Sequence, residues 1–359
     1  ALVDKSMVTT ESASDGTTRY RLLETLREYA RHLLRNTGEE DRVQQRHAHR
    51  FASMATELQA QQRDGDLGGA LKRFQQDEAD FRDSLRYCLG EGHLTTAGQL
   101  VGRLGYLWYA SGQHREGLQW CEELFAFEPD LSDQVLADAL HSFGSLLGVM
   151  GRAEDGVEVF ERQVVIRRRL GDPVRLGAAL NNLGDWYFEA GRYDDGERAL
   201  AESITEFRRD GGYGVSLALG TLAYARFNQG RFDEAENTYR EALSEARRVD
   251  HAHAIAVSMS GLGRCLIASG RPEDSRPMLI EARERFQELT VAPGVADTTI
   301  FLGVAERNLG NHRGAAQHLL EALADPGINW SDDGDFWTLQ FAASILADRD
   351  TAAVLVGAV

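Results

Sequence analysis

Few side chains in this sequence have the types and spacing that chemistry needs. His251 and His253, in "DHAHA", could begin a metal site. Residues two apart point to different sides of a helix, however, and no cysteine or third histidine follows at ligand spacing. The better expectation is a polar loop or helix start. His47 with His49, and His312 with His318, fail in the same way. The adjacent acids Asp194–Asp195 and Glu122–Glu123 could supply a general acid and base. They fall at the start or outer face of second helices in the pattern described below, where carboxylates suit the helix dipole and solvent. Arg167, Arg168 and Arg169 could meet a phosphate, yet a place near a helix C-terminus already explains the charge. No serine sits in a G-x-S-x-G elbow. No G-x-x-x-x-G-K-[ST] loop occurs, and Lys5 and Lys72 are the only lysines, so the lysine that would grip a phosphate is missing. These residues predict no enzyme, no metal and no cofactor.

A chain of 359 residues, 43% hydrophobic and 26% charged, has the composition of a folded protein of several domains or one extended array. Its net charge of −17 opposes a general nucleic-acid surface, although a local basic patch remains compatible with it. No apolar stretch approaches the roughly 20 residues that cross a bilayer. The first residues lack the basic start and apolar core of a signal peptide. Cys88, Cys121 and Cys265 are too few and scattered for a disulfide framework, which makes a reducing cytoplasm the expected setting. "ALVDKSMV" at the start and "TAAVLVGAV" at the end read as the interior of a longer protein.

The elements that must position any site are announced by glycines. Six pairs stand seven apart: Gly105/Gly112, Gly144/Gly151, Gly184/Gly191, Ala223/Gly230, Gly263/Gly270 and Gly303/Gly310, with alanine once at the first place. The second glycines recur every 39 or 40 residues, which marks stacked supersecondary units. Apolar residues three and four apart on both sides predict two amphipathic helices per unit. A mid-helix glycine costs about 1 kcal/mol against alanine, so its recurrence predicts close helix–helix approach. The second glycine ends the helix in a left-handed conformation. Five residues on comes another small residue (Gly117, Gly156, Gly196, Ala235, Ser275, Ala315). Four beyond that, in most units, comes a large packer: Phe160, Leu200, Tyr239, Leu279 and Leu319.

Small, turn, small, large at these offsets resembles the tetratricopeptide repeat (TPR), in which L-G-x-x-Y precedes A-x-x-x-F. Leu183, Gly184 and Tyr187 match the first half, and Ala235 with Tyr239 the second. The period of about 40, against about 34 in the usual repeat, points to longer-helix variants and a flatter superhelix. The expected fold is an all-α, right-handed TPR-like solenoid with six repeats over 94–325. A loop and truncated capping helices over 326–359 follow it.

Before the array, "SMVTT" and "TRYRLL" are strand candidates around Asp15–Gly16, and "LETLREYARHLLRN" is an amphipathic helix. A plain hairpin on a helix and the wing of a winged-helix domain account for 1–45 equally well. A helical hairpin over 46–93 links this segment to the array. "LVDKSMV", "RYRLLETLREYA" and "RHAHRFASMA" together resemble the region after the nucleotide-binding core of STAND-type bacterial ATPases. Many of these are transcriptional regulators with an NB-ARC-like module, a winged helix and a TPR array. "ALKRFQQDEADFRDSL" resembles the next motif of that family. Leu71, Arg82 and Leu85 fit it, while Ala70, Asp77, Asp80 and Phe81 replace the usual Trp, Glu, Asn and Leu.

In TPR arrays the first helix of each unit turns one stripe toward the concave face. Indexed from the Leu–Gly pair, that stripe is Tyr106, Tyr109, His141, Ser145, Asn181, Asp185, Phe188, Glu189, Tyr224, Phe227, Asn228, Arg264, Arg307 and Asn308. Rings interleaved with amides and charges suit a peptide or small-ligand groove, acidic in the middle and basic toward Arg264 and Arg307. The competing reading is solvated or inter-repeat packing positions. The STAND resemblance implies a non-catalytic sensor and scaffold. It would bind a protein, a peptide or a small-molecule inducer and contact an upstream ATPase that it restrains. Neither nucleic acid nor membrane is expected as a direct partner. A free-standing TPR adaptor or peptide receptor is the alternative.

Overall fold

The computed structural model describes residues 8–12, 18–63, 65–127, 130–212 and 214–323, with positions 347 and 351. Apart from those two positions, the loop and capping helices expected over 326–359 lie outside the described residues. Strands β1 (Val8–Ser12) and β2 (Thr18–Leu22) pair antiparallel, with Val8 opposite Leu22 and Ser12 opposite Thr18. Asp15 and Gly16 lie outside the described residues. Among the described residues neither strand pairs with a third, so this two-stranded ladder does not by itself support a winged-helix assignment for 1–45. The fold class is set by the helices.

Among the described residues the helices are α1 (Glu24–Thr37), α2 (Glu40–Arg63), α3 (Leu67–Gln76), α4 (Glu78–Gly90), α5 (Leu94–Ala110) and α6 (His114–Ala126). Then come α7 (Asp133–Val149), α8 (Ala153–Leu170), α9 (Pro173–Glu189), α10 (Tyr193–Arg209) and α11 (Val215–Asn228). The last are α12 (Phe232–Arg248), α13 (Ala252–Ala268), α14 (Pro272–Glu288), α15 (Ala292–Asn308) and α16 (His312–Leu323). From α5 onward they alternate as first and second helices of a repeat. The chain divides into two compact units, residues 1–142 and 143–359.

In the first unit Phe51, Phe74, Phe81 and Leu85 are buried together, with Phe81 edge-on to Phe51 at 5.2 Å. Ala70, where the resembling family has Trp, is fully buried. Arg82 of α4 forks onto Glu116 of α6 at 2.5 and 2.6 Å, which ties the two helices together. Asp80 accepts from His47, whose other ring nitrogen meets Ser84.

The glycine pattern is realised in physical detail. Each of the six turn glycines has positive φ, between 71° and 78°. Three of the earlier glycines sit against side chains of their own second helix, while Gly105 lies against Ser142 of α7. A Cβ on Gly144 would come within 2.6 Å of Phe160, on Gly184 within 2.7 Å of Leu200, and on Gly263 within 2.5 Å of Leu279. All the large packers are buried. Where the following small residue is Ser275, its hydroxyl donates to the Gly263 carbonyl at 2.9 Å, so even its polar atom serves the helix pair.

A second periodic device escaped the sequence reading. An arginine follows the turn glycine at 152, 192, 231 and 271. Arg152, Arg192 and Arg231 each pair with an acid three residues on (Asp155, Asp195 and Glu234) at 2.5–2.9 Å. Arg192, Arg231 and Arg271 also reach back to the preceding second helix, to Glu161 at 3.5 Å, Glu197 at 2.7 Å and Glu236 respectively. Burial alone would raise the Glu197 carboxyl, but hydrogen bonds from Arg231 and Arg226 outweigh it and hold the group below its ordinary range. The second unit is therefore clipped repeat to repeat by charge as well as packed by shape.

Between repeats the chain needs another left-handed residue. Gly171 and Gly211 supply it in two junctions, whereas Asp250 (φ 53°) and Thr290 (φ 55°) occupy the equivalent places in the next two. A β-branched residue is strained there by about 1–2 kcal/mol. Thr290→Gly is therefore expected to raise stability by about 1 kcal/mol. Conversely, a Cβ on Gly148 would fall inside the Trp186 ring, so Gly148→Ala is expected to cost about 1–3 kcal/mol. Urea unfolding of both variants checks the pair; an unchanged midpoint for Gly148→Ala would contradict the close approach.

Candidate functional site

The residues singled out for chemistry are used structurally. His251 caps α13, its Nδ1 accepting from the Ala254 amide at 3.4 Å, while His253 lies edge-on to Phe286 at 6.0 Å. Among the described residues no group of three or more His, Cys, Asp or Glu is arranged to hold a metal. Asp195 pairs with Arg192 and Arg198 at the start of α10. Arg167 is buried, and Arg168 forks onto Glu202 at 2.7 and 2.8 Å, so these arginines are engaged within the protein.

The predicted stripe divides between the units. Tyr106, Tyr109 and His141 belong to the first. The two tyrosines are about half exposed, at 47% and 48%, with ring centroids 5.8 Å apart, and His141 is exposed. Ser145 and the remaining ten belong to the second. Glu189, Asn228 and Asn308 are exposed, and Ser145, Asp185, Phe188, Tyr224, Arg264 and Arg307 are partly buried. Phe227 is a correction: at 8% exposure it lies in the core with Tyr239, Met259 and Leu262, its ring 5.3 Å from Phe232. Its place in α11 turns it toward its own second helix. Asn181 is a correction too: at 7% exposure it is buried rather than lining an open surface.

Two clusters remain. In the first, the Arg264 guanidinium lies over the Tyr224 ring at 5.5 Å and over the Phe301 ring at 5.1 Å, a doubled cation–π contact joining α11, α13 and α15. Ser260, one turn before Arg264, donates to Asp297 of α15 at 3.5 Å. Asp297 and Phe301 were not foreseen: they stand six and two residues before Gly303, outside the offsets that define the stripe. In the second cluster, Asn181, Asp185 and Glu189 follow one another at four-residue spacing along α9. Phe188 packs beside them on the cluster of Leu200, Phe207, Val215 and Leu219, and its ring is 6.2 Å from Tyr193. Burial, aided by the Glu189 charge, pushes the Asp185 carboxyl up to about 6.

Comparison with known proteins agrees with this architecture. Tetratricopeptide repeat models match residues 176–209, 214–288 and 255–325, so the chain carries a TPR array. A protein named as an HTH-type transcriptional regulator, from Mycobacterium tuberculosis (strain ATCC 25618 / H37Rv), is 32% identical over 192 residues. The match covers 51% of this chain and 21% of the relative, so it spans about a fifth of that protein's length. A kinesin light chain-related protein of Arabidopsis thaliana is 23% identical over 155 residues, 41% of this chain and 25% of the relative. Among solved structures, apo RapI superposes with a TM-score of 0.54 at 12% identity, over 82% of this chain and 86% of that one. NprR in complex with its cognate peptide NprX superposes at 0.51 and 13%, over 81% and 88%. These likenesses show the fold. No helix among the described residues is long and apolar enough to cross a membrane.

The Asp185 environment has a stability consequence. Its folded-state pKa of about 6 exceeds the ordinary 3.8, so the folded protein holds this proton more tightly than the unfolded chain does. The contribution is complete with the acid protonated, below about pH 4, and is lost as pH rises to about 6. Asp185→Asn is expected to remove that dependence and to stabilise the protein at pH 7 by about 1–3 kcal/mol. Chemical unfolding at pH 4, 5, 6 and 7 measures it; an equal pH slope in the variant would contradict the assignment.

Proposed function

We propose that this chain is the sensor and scaffold region of a longer transcriptional regulator and that the inward stripe of its second unit receives a peptide or protein segment. One observation carries the reading: Arg264 is held between Tyr224 and Phe301 on the same inward stripe that bears Asp185 and Glu189. Aromatic and arginine side chains pre-positioned in this way are typical binding hot spots. Support comes from the regulator relatives and from NprR, a structural neighbour solved with its cognate peptide. Within this reading residues 1–45 are a winged-helix remnant, 46–93 a linking hairpin, 94–325 the array and 326–359 its cap. The parent is a STAND-type ATPase of the cytoplasm, held inactive by the array until an inducer binds.

The chain itself supplies recognition and no turnover. Binding along the stripe biases the array toward one arrangement, and the attached module reads that bias. A small-molecule inducer fits the same stripe if it presents both an apolar body and charge.

The test is a reporter assay with the full-length protein in its native cells. Tyr224→Ala and Arg264→Ala are each expected to shift the inducer response by about tenfold or more, equivalent to about 1.4 kcal/mol, at unchanged protein level. Deleting residues 94–325 is expected to give inducer-independent output. A stable deletion protein that stays silent would contradict restraint by the array.

A further inference from the structure

Helix α11 holds a glycine that packing within the repeat does not explain. Gly220 stands three residues before Ala223, as Asn181 does before Gly184, and so belongs to the inward stripe. It lies inside the helix, without the left-handed backbone of the turn glycines. Among the described residues a Cβ on it would meet nothing within 4 Å. Other helical glycines of this unit make room for a ring: Gly148 for Trp186, Gly177 for Phe207, Gly196 for Phe188 and Gly261 for Tyr239. Glycine weakens a helix more than any residue except proline, and here no neighbour uses the space it leaves. That space has apolar walls. Leu217, one turn earlier on the same face, is 54% exposed, and Val257 of the adjacent α13 is 36% exposed. Both stand six residues before the small residue of their repeat, Ala223 and Gly263, so they lie at one level of neighbouring first helices. One turn beyond Gly220 comes the Tyr224 ring, beneath Arg264.

We propose that Leu217, Gly220 and Val257 form a seat for one large apolar side chain of a bound peptide segment. The side chain lies over the Gly220 backbone, between the two aliphatic walls, in the depth that the missing Cβ leaves. The charge pattern selects it. Leu217, Gly220, Tyr224 and Asn228, which share this face of α11, are all uncharged, in a chain whose net charge is −17. A carboxylate or ammonium pressed onto Leu217 and Val257 would lose water without gaining a partner. The occupant is an elongated chain because the site continues past the seat. Asn228 exposes an amide about 12 Å further along the helix, and an amide offers both the donor and the acceptor that a peptide group needs. The inference rests on the inward stripe being the ligand surface and adds the side chain that the stripe selects.

The probe is a random dodecapeptide library displayed on phage, selected in parallel on the whole chain, on Gly220→Leu and on Tyr224→Ala. Leucine is a far better helix former than glycine, so Gly220→Leu is expected to melt at a higher temperature than wild type. Loss of binding in that variant then has no origin in unfolding. Peptides enriched on wild type are expected to share one large apolar position. Synthetic copies are expected to weaken by about tenfold or more on Gly220→Leu, and equally when that residue becomes aspartate. Gly220→Ala, which adds one methyl group, is expected to weaken them by about threefold and carries the same test with less bulk. Peptides that need Tyr224 yet bind wild type and both Gly220 variants equally overturn the seat and leave the groove reading standing. No enrichment on wild type overturns the seat and the peptide reading together. A wild-type dimer that Gly220→Leu dissociates puts a second copy on the seat and overturns the peptide as its occupant.

Discussion

Two helices can come within side-chain contact of each other's backbone only where one carries almost no side chain, and the second unit depends on that constraint. Gly144, Gly184 and Gly263 leave the space that Phe160, Leu200 and Leu279 fill, and Ala223 with Tyr239 does the same in another repeat. Each glycine weakens its own helix by about 1 kcal/mol, and each buried packer returns more than that. Because the small residue lies on the first helix and the large one on the second, every pair closes in the same sense.

Charge works in the other direction, between repeats. The arginines after the turn glycines join one second helix to the one before it through Glu161, Glu197 and Glu236. Glu236 is almost completely buried and holds both Arg240 and Arg271, so loss of one arginine would leave the buried carboxylate with the other alone. A net charge of −17 is thus not spread evenly. Much of the acid in the second unit is neutralised locally by arginine. Of the adjacent acids, Asp195 is already committed to Arg192 and Arg198, and Glu123 accepts from Gln119.

Much of this was legible in the sequence because it rests on local rules with a fixed period. The left-handed turns needed glycine at 112, 151, 191, 230, 270 and 310, and the packers followed at constant offsets. The helix-start role of His251 was also legible, since capping is local. Phe227 was misplaced because an index from the Leu–Gly pair cannot tell a groove wall from a core position when the helix turns slightly. Asp297 and Phe301 were missed because they approach Arg264 and its surroundings from the next repeat, a relation no single-repeat pattern encodes. The arginine clips were visible as repeated Gly–Arg pairs, but their acceptors lie at 161, 197 and 236, without one common offset. At the N-terminus the two strand candidates coincide with the paired segments Val8–Ser12 and Thr18–Leu22, while the turn expected at Asp15–Gly16 lies outside the described residues.

The central claim is that the inward stripe, and not the outer face of the second helices, receives the ligand. A cleft of about 300 Å³ between α8, α9 and α10, away from the stripe residues, is lined by Val165, Arg168, Tyr187 and Glu202 among others. The most direct measurement places a photo-crosslinking amino acid at Tyr224 in one protein and at Val165 in another, in the native cells. Irradiated proteins are then analysed by mass spectrometry. The account predicts a discrete adduct at position 224 that inducing conditions change, and none at 165. A discrete adduct at 165 with none at 224 would contradict it.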